Sequence, residues 1–297
     1  MAEKKIIQIP STPLDCPIGR VFNNIFVISN ATEILDDDNV VWDFSNVSDI
    51  HPFMAFALSL FVYVSEKEIE FINESEYIQE YLSSICFGSF YDVSANSDYL
   101  GKFITRSYIP ICRFAPADDE VQRELQDLIE AQSKASALSI PFSYILGELI
   151  CNVAQHSECD DVYFFSQYDE ADKVINVCIA DTGVGIYGSY VRAGKYLERL
   201  GDNDAMALQM ANEGYSAKNL PEAENRGFGI STSKKMLVNG LGGSFYVMSG
   251  SSLQLTFPES DDSYLELPHS LEWNGTMIFL RIPVVIEKDF NYIDYLE

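Results

Sequence analysis

PFSYILGELICNVAQHS, Pro141–Ser157, is the stretch on which the reading of this chain turns. At the helical period, Phe142, Ile145, Leu146, Leu149, Ile150 and Val153 form one apolar stripe, while Glu148, Asn152 and His156 fall at i, i+4 and i+8 on another. The stretch therefore predicts a helix that packs on one side and lines something with its polar edge. A carboxylate and a carboxamide one turn apart suit a site that holds a magnesium ion and a water together, with hard oxygen for the metal and a base for the water. A solvated helix face accounts for the same spacing, because polar residues at i, i+4 are common on helix surfaces. Cys151 is expected to pack on the buried face.

Length and composition narrow the classes. A chain of 297 residues with 47% hydrophobic and 13% aromatic content can build two domains, each with its own core. Its formal charge of −26, with no dense Lys/Arg cluster, repels nucleic acid and anionic membrane surfaces. MAEKK is not followed by an apolar run with a cleavage site, and Phe53–Val64 is too short to span a bilayer, so a cytoplasmic protein is expected. The six cysteines are scattered without C-x-x-C spacing, which reads as small buried hydrophobes and not as a metal site.

Taken in order, Phe26–Ser29 and Val40–Phe44 read as strands, followed by a deeply packed helix in PFMAFALSLFVYVSEK. A further strand is expected at Lys67–Asn73 and an amphipathic helix at Tyr77–Cys86. Strands and helices alternating at this spacing predict βαβ crossovers and a parallel or mixed sheet. Ala115-Pro116-Ala117-Asp118 starts another helix, with Val121, Leu125, Leu128 and Ile129 at helical spacing. The domain boundary is placed near Pro110–Pro116, giving domains 1–112 and 113–297.

Past the central helix, Asp161–Gln167 and Val174–Ala180 flank the polar turn YDEADK as a β-hairpin would. The second strand runs into Asp181-Thr182-Gly183-Val184-Gly185-Ile186, where two glycines let the backbone approach a flat ligand and Asp181 offers an acceptor for an exocyclic amine. A short helix, DAMALQMANEG, precedes the lid-like segment YSAKNLPEAEN. That segment closes on Arg226-Gly227-Phe228-Gly229-Ile230-Ser231-Thr232, a glycine-rich turn opening a helix and a natural phosphate cradle. It is neither a Walker A sequence nor a dinucleotide fingerprint. Ser244–Ser249, Ser252–Phe257 and MIFLRIP read as strands, with Pro258–Glu272 a polar excursion and Asn274-Gly275-Thr276 leading into the last strand.

Two resemblances follow from these residues. VVWDFSNVSDIHPFMAFALSLFVYVSEKEIEFINESEYIQEYLSSICF resembles a STAS-type domain, the fold of anti-sigma-factor antagonists. Where regulatory members of that family place a phosphorylatable serine, this chain has His51-Pro52-Phe53, and Ser48 lies too early. The ordered set E-L-x-x-N-x-x-x-H, D-x-G-x-G, G-x-G-I-S-T and N-G-T resembles the GHKL, or histidine-kinase-like, ATPase superfamily over Asp118–Val285. Together they imply an α/β chain of the α+β sandwich kind: a STAS-like regulatory or docking domain, then a Bergerat-type ATPase domain with a mixed sheet covered by helices on one face.

The second resemblance implies ATP and Mg2+ as cofactors. Asn152 would ligate the magnesium and Glu148 would be the general base. Asp181 would bind the adenine amino group, Gly183, Gly185 and Ile186 would flank the base, and Thr276 would support it through a water. Gly227, Gly229, Ser231 and Thr232 would face the phosphates, with Lys218 and Arg226 as lid cations. His156 is placed equally by packing at a helix end and by a role near the phosphates. The implied function is Mg-dependent ATP hydrolysis that drives or gates a regulatory protein assembly. An anti-sigma-type protein serine kinase and an ATP-gated interaction module without turnover are the alternatives. Partners would be proteins docking through the STAS-like domain or the lid, with a homodimer admitted and no nucleic acid or membrane.

Overall fold

Period-two apolar runs separated by helical stripes leave few ways to bury both, and the computed structural model shows the outcome over residues 5–35, 39–93, 100–134, 138–217, 228–268, 271–285 and 290–295. The fold is mixed α/β, with a three-stranded parallel sheet and an eight-stranded mixed sheet. Packing divides the chain into two units, Met1–Tyr91 with Pro110–Cys112, and Asp92–Ile109 with Arg113–Glu297. Among the described residues no helix is long and apolar enough to cross a membrane.

The first unit alternates β1 (Ile6–Gln8), α1 (Ile18–Glu33), β2 (Asn39–Asp43), α2 (Pro52–Val64), β3 (Glu68–Ile72) and α3 (Glu76–Ser84). The strands lie in the order β1-β2-β3, all parallel. Central β2 buries Val40, Val41 and Trp42; the indole stacks on Phe61 and Phe71 and donates to Thr32 Oγ1 at 3.0 Å. Phe26–Ser29, expected as a strand, lies inside α1. Four β-prone residues are too short a window: Val21, Phe22, Ile25, Ile28 and Thr32 are the buried positions, at helical spacing across the whole segment. His51 is buried and caps α2, its Nδ1 accepting the Phe53 N–H at 3.2 Å with Pro52 in the first turn.

Asp43 ends β2 in a ring of donors. It accepts from Gln8 Nε2 at 2.7 Å, Ser45 N–H at 2.9 Å and Asn73 Nδ2 at 3.0 Å, so the ends of all three strands converge on one carboxylate. These bonds, Asn73's foremost, lower its pKa from 3.8 to about 2. A carboxylate with a depressed folded pKa stabilises the fold above its unfolded value, and that contribution disappears as pH falls from about 4 to about 2. Acid unfolding followed by circular dichroism should therefore show this pH-dependent component in the wild type and not in Asp43→Asn. Superimposable acid limbs would deny Asp43 the role.

The eight-stranded sheet runs β10-β9-β8-β11-β7-β6-β5-β4, with β6 to β11 wholly in the second unit. Its strands in chain order are β4 (Tyr91–Asp92), β5 (Tyr108–Phe114), β6 (Val162–Asp169), β7 (Val174–Ala180), β8 (Ser244–Gly250), β9 (Ser252–Thr256), β10 (Ser263–Glu266) and β11 (Trp273–Pro283). From β10 to β6 every neighbouring pair is antiparallel, and β11 sits centrally with Met277 opposite Ala180 on one side and Met248 on the other. β7 is buried along its full length, which is why VINVCIA runs apolar instead of alternating. Strand β10 lies within the expected polar excursion, where SYLE carries too little apolar pattern to announce it.

Among the described residues, six α-helices accompany the sheet: α4 (Asp119–Ser133), α5 (Ser139–Asn152), α6 (Gly185–Ala193), α7 (Leu197–Leu200), α8 (Asp204–Asn212) and α9 (Phe228–Lys235). Asp118 caps α4 by accepting the Val121 N–H at 3.1 Å. The helix expected to run to Ser157 ends at Asn152 and continues as a π-helical turn, Val153–Ser157. Cys151 is exposed, contrary to the expectation from sequence. At 100° per residue it points directly away from the stripe of Ile145, Leu146, Leu149 and Ile150, so the helical wheel already placed it outside.

Candidate functional site

Helix α5 carries its apolar residues inward and leaves Tyr144, Glu148 and Asn152 on one edge, where they line a cavity of about 350 Å3. The remaining walls come from distant parts of the second unit: Asp181, Gly185 and Ile186 after β7, Tyr190 on α6, Tyr215–Ala217 after α8, Gly229 and Ile230 on α9, and Thr276 on β11. Five separate stretches of sequence, α5 included, thus meet in one cleft. A drug-sized site is of this volume.

The loop after β7 is held by backbone contacts. Asp181 N–H donates to Thr276 O at 2.9 Å, the Trp273 indole donates to Asp181 O at 3.1 Å, and Val184 N–H donates to Ser157 O at 2.9 Å. A Cβ at Gly183 would stand 2.0 Å from Ser157 O, so this position admits glycine because the loop is pressed against the π-helical turn. Gly183 does not itself line the cavity. Gly185 has φ +68 and opens α6, whose Ile186 N–H donates to Ser249 Oγ at 2.9 Å while that hydroxyl donates to Gly275 O at 3.0 Å. Sequence reasoning missed Ser249, which lies in an otherwise apolar strand with nothing local to mark it.

Asp181 is buried, and desolvation raises its pKa from 3.8 to about 6, against the lowering effect of the Gly183 and Thr276 backbone N–H groups. The Gly183 N–H reaches its Oδ1 at 2.9 Å. On α5, Asn152 Nδ2 is buried and has no hydrogen-bond partner among the described residues. Gly229 brings α9 against both polar side chains of α5: an added Cβ would stand 2.9 Å from Glu148 Oε2 and 3.1 Å from Asn152 Nδ2.

No family model matches this chain, and no curated protein matches it.

Of the residues singled out from sequence, Glu148, Asn152, Asp181, Gly185, Ile186, Gly229 and Thr276 line the cavity together. Ser231 and Thr232 are buried within α9 and are not part of its wall. Lys218, Arg226 and Gly227 lie outside the described residues, as does the side chain of His156. Among the described lining residues there is no lysine or arginine. Tyrosines are the main omission of the sequence reading. Tyr190 is buried and its hydroxyl donates to Tyr215 O at 2.6 Å, while Arg199 stacks on the Tyr215 ring at 4.4 Å and pairs with Glu213 at 2.6 Å. Tyr144 was legible, one turn before Glu148, had the polar edge been followed backwards.

Proposed function

We propose that the second unit binds Mg·ATP and hydrolyses it, as a GHKL-type ATPase. The observation that carries this reading is the meeting of Glu148 and Asn152 with Asp181, Gly185, Gly229 and Thr276 around one cavity. The buried acceptor of Asp181 suits an exocyclic amine on a flat base, and the glycines at 183 and 185 keep the loop against its neighbours so that the base has room. The orphaned Asn152 Nδ2 suits a phosphate oxygen, and its partner Oδ1 is a hard ligand of the kind magnesium takes. Magnesium, held through Asn152, would neutralise phosphate charge that the described wall leaves uncompensated. Lys218 and Arg226 are candidates for the rest.

In this reading Glu148 accepts a proton from a water as its oxygen bonds the γ-phosphorus, and the bond to the β-phosphate oxygen breaks to release ADP. Little else is asked of the protein beyond positioning and charge. The first unit is proposed as a STAS-like docking domain for protein partners, and the charge of −26 supports a cytosolic assembly over nucleic acid or an anionic membrane.

The test is the fate of γ-labelled ATP incubated with purified protein and magnesium. Label should appear as free phosphate, and Glu148→Gln should retain nucleotide binding while turnover falls on the order of 100-fold or more, the usual weight of a general base. Label transferred to another protein from a cell extract would replace hydrolysis with a kinase activity. Intact, tightly bound ATP would replace it with a nucleotide-gated module.

A further inference from the structure

Ser249 does not line the cavity, yet its hydroxyl bonds two residues that do, Ile186 and Thr276. It is buried on β8 opposite Thr276 of β11, and the pairing of the two strands slips between Trp273 and Thr276, where Gly275 takes φ +116. This bulge brings the Gly275 carbonyl and the Thr276 hydroxyl to the same serine. Around Ser249 Oγ stand Ile186 N at 2.9 Å, Gly275 O at 3.0 Å and Thr276 Oγ1 at 3.3 Å.

The protons at this junction can be counted. A hydroxyl has one proton to give and two lone pairs to offer. A carbonyl cannot donate, so the contact with Gly275 O takes the Ser249 proton. Ile186 N–H fills one lone pair of Ser249, and the other is left for Thr276. The proton in the 3.3 Å contact therefore comes from Thr276; given by Ser249 instead, it would leave two bare oxygens 3.0 Å apart in a buried place.

We infer that Ser249 is a positioning residue that takes up the Thr276 hydroxyl proton, so that Thr276 faces the cavity as an acceptor alone and the site selects 6-amino over 6-oxo purine nucleotides. The inference rests on the reading of this cavity as a purine nucleotide site. Thr276 and the Asp181 carboxylate both belong to the wall. An exocyclic amine has two protons, one for each of two acceptors, whereas a 6-oxo group has lone pairs only. A threonine free to turn its hydroxyl would serve either group, so Thr276 by itself carries no preference. The saturated serine behind it supplies one.

Equilibrium binding of Mg·ATP and Mg·ITP, which carry 6-amino and 6-oxo purines, reads the effect. Ser249→Ala frees the Thr276 proton, and the preference for ATP over ITP should narrow by about 10-fold, the weight of one hydrogen bond. A serine that merely braced the bulge would weaken both nucleotides alike, so an unchanged ratio overturns the inference. Thr276→Val leaves Ser249 in place, keeps the side-chain shape and removes the hydroxyl. It should weaken ATP by about 10-fold and ITP by much less; equal weakening again overturns the inference. A wild type that bound neither nucleotide would sink the nucleotide reading instead. Neutron diffraction from the unliganded protein would then still decide the proton, which is expected on Thr276 Oγ1 pointing at Ser249; a proton on Ser249 pointing at Thr276 refutes the assignment.

Discussion

Asp181→Asn should make the nucleotide-free protein more stable and at the same time remove its affinity for adenine nucleotides. The two effects have opposite signs because one buried charge causes both. Raising the folded pKa of Asp181 from 3.8 to about 6 means that at pH 7 its ionised form costs the fold about 3 kcal/mol. That cost is full above pH about 6 and disappears as pH falls toward 4. Asparagine is neutral and its Oδ1 can still accept the Gly183 N–H, so the unliganded variant should gain roughly 1–3 kcal/mol at pH 7 and lose this part of the pH dependence. The same change presents an amide N–H where the base presents its own. A donor facing a donor in a dry pocket should weaken adenine nucleotides by about 100-fold or more.

The wild type should show the linkage without any substitution: adenine nucleotide affinity falls below pH about 6, where Asp181 becomes protonated, and binding near that pH releases a proton. Thermal melts and titration calorimetry from pH 5 to 8 measure both quantities. Equal loss of stability and affinity in Asp181→Asn would identify a structural aspartate instead.

What could be read from sequence, and what could not, follows from how local each signal is. Helix α5 buries one face at the helical period, and strands β6 and β7 and the terminal strands are apolar runs bounded by polar turns, so short windows suffice. Helix α1 failed this test: its aromatic and β-branched residues argue for a strand over any four positions, and only burial spread over Val21–Thr32 reveals the helical face. Gly183 was legible as a special position but its reason was not, because the carbonyl it abuts belongs to Ser157, and that contact exists only after the π-helical turn has formed. Tyr190 and Tyr215 read as ordinary aromatics; their place at the cavity comes from the hydroxyl-to-carbonyl bond between α6 and the segment after α8.

Asn152→Ala should leave the unliganded fold nearly intact and abolish magnesium-dependent nucleotide binding. Truncating a buried amide normally exposes partner groups to an unpaired state, at about 1–3 kcal/mol. Asn152 is different because its Nδ2 has no partner among the described residues, so the truncation removes an unsatisfied donor along with the rest of the carboxamide. Stability measured by denaturant titration should therefore change by no more than about 1 kcal/mol. Binding should respond far more strongly, since the same amide is proposed to meet both the phosphates and the metal. With magnesium present, affinity for ATP should drop on the order of 100-fold or more; with the metal chelated, the gap between wild type and variant should narrow to what the direct amide–phosphate contact contributes. Asn152→Asp, which keeps an oxygen ligand but adds a negative charge one turn from Glu148, should recover part of the metal dependence and little of the affinity. Unchanged Mg·ATP binding by Asn152→Ala would place the metal and phosphates elsewhere, and with them the proposed chemistry of this wall of the cavity.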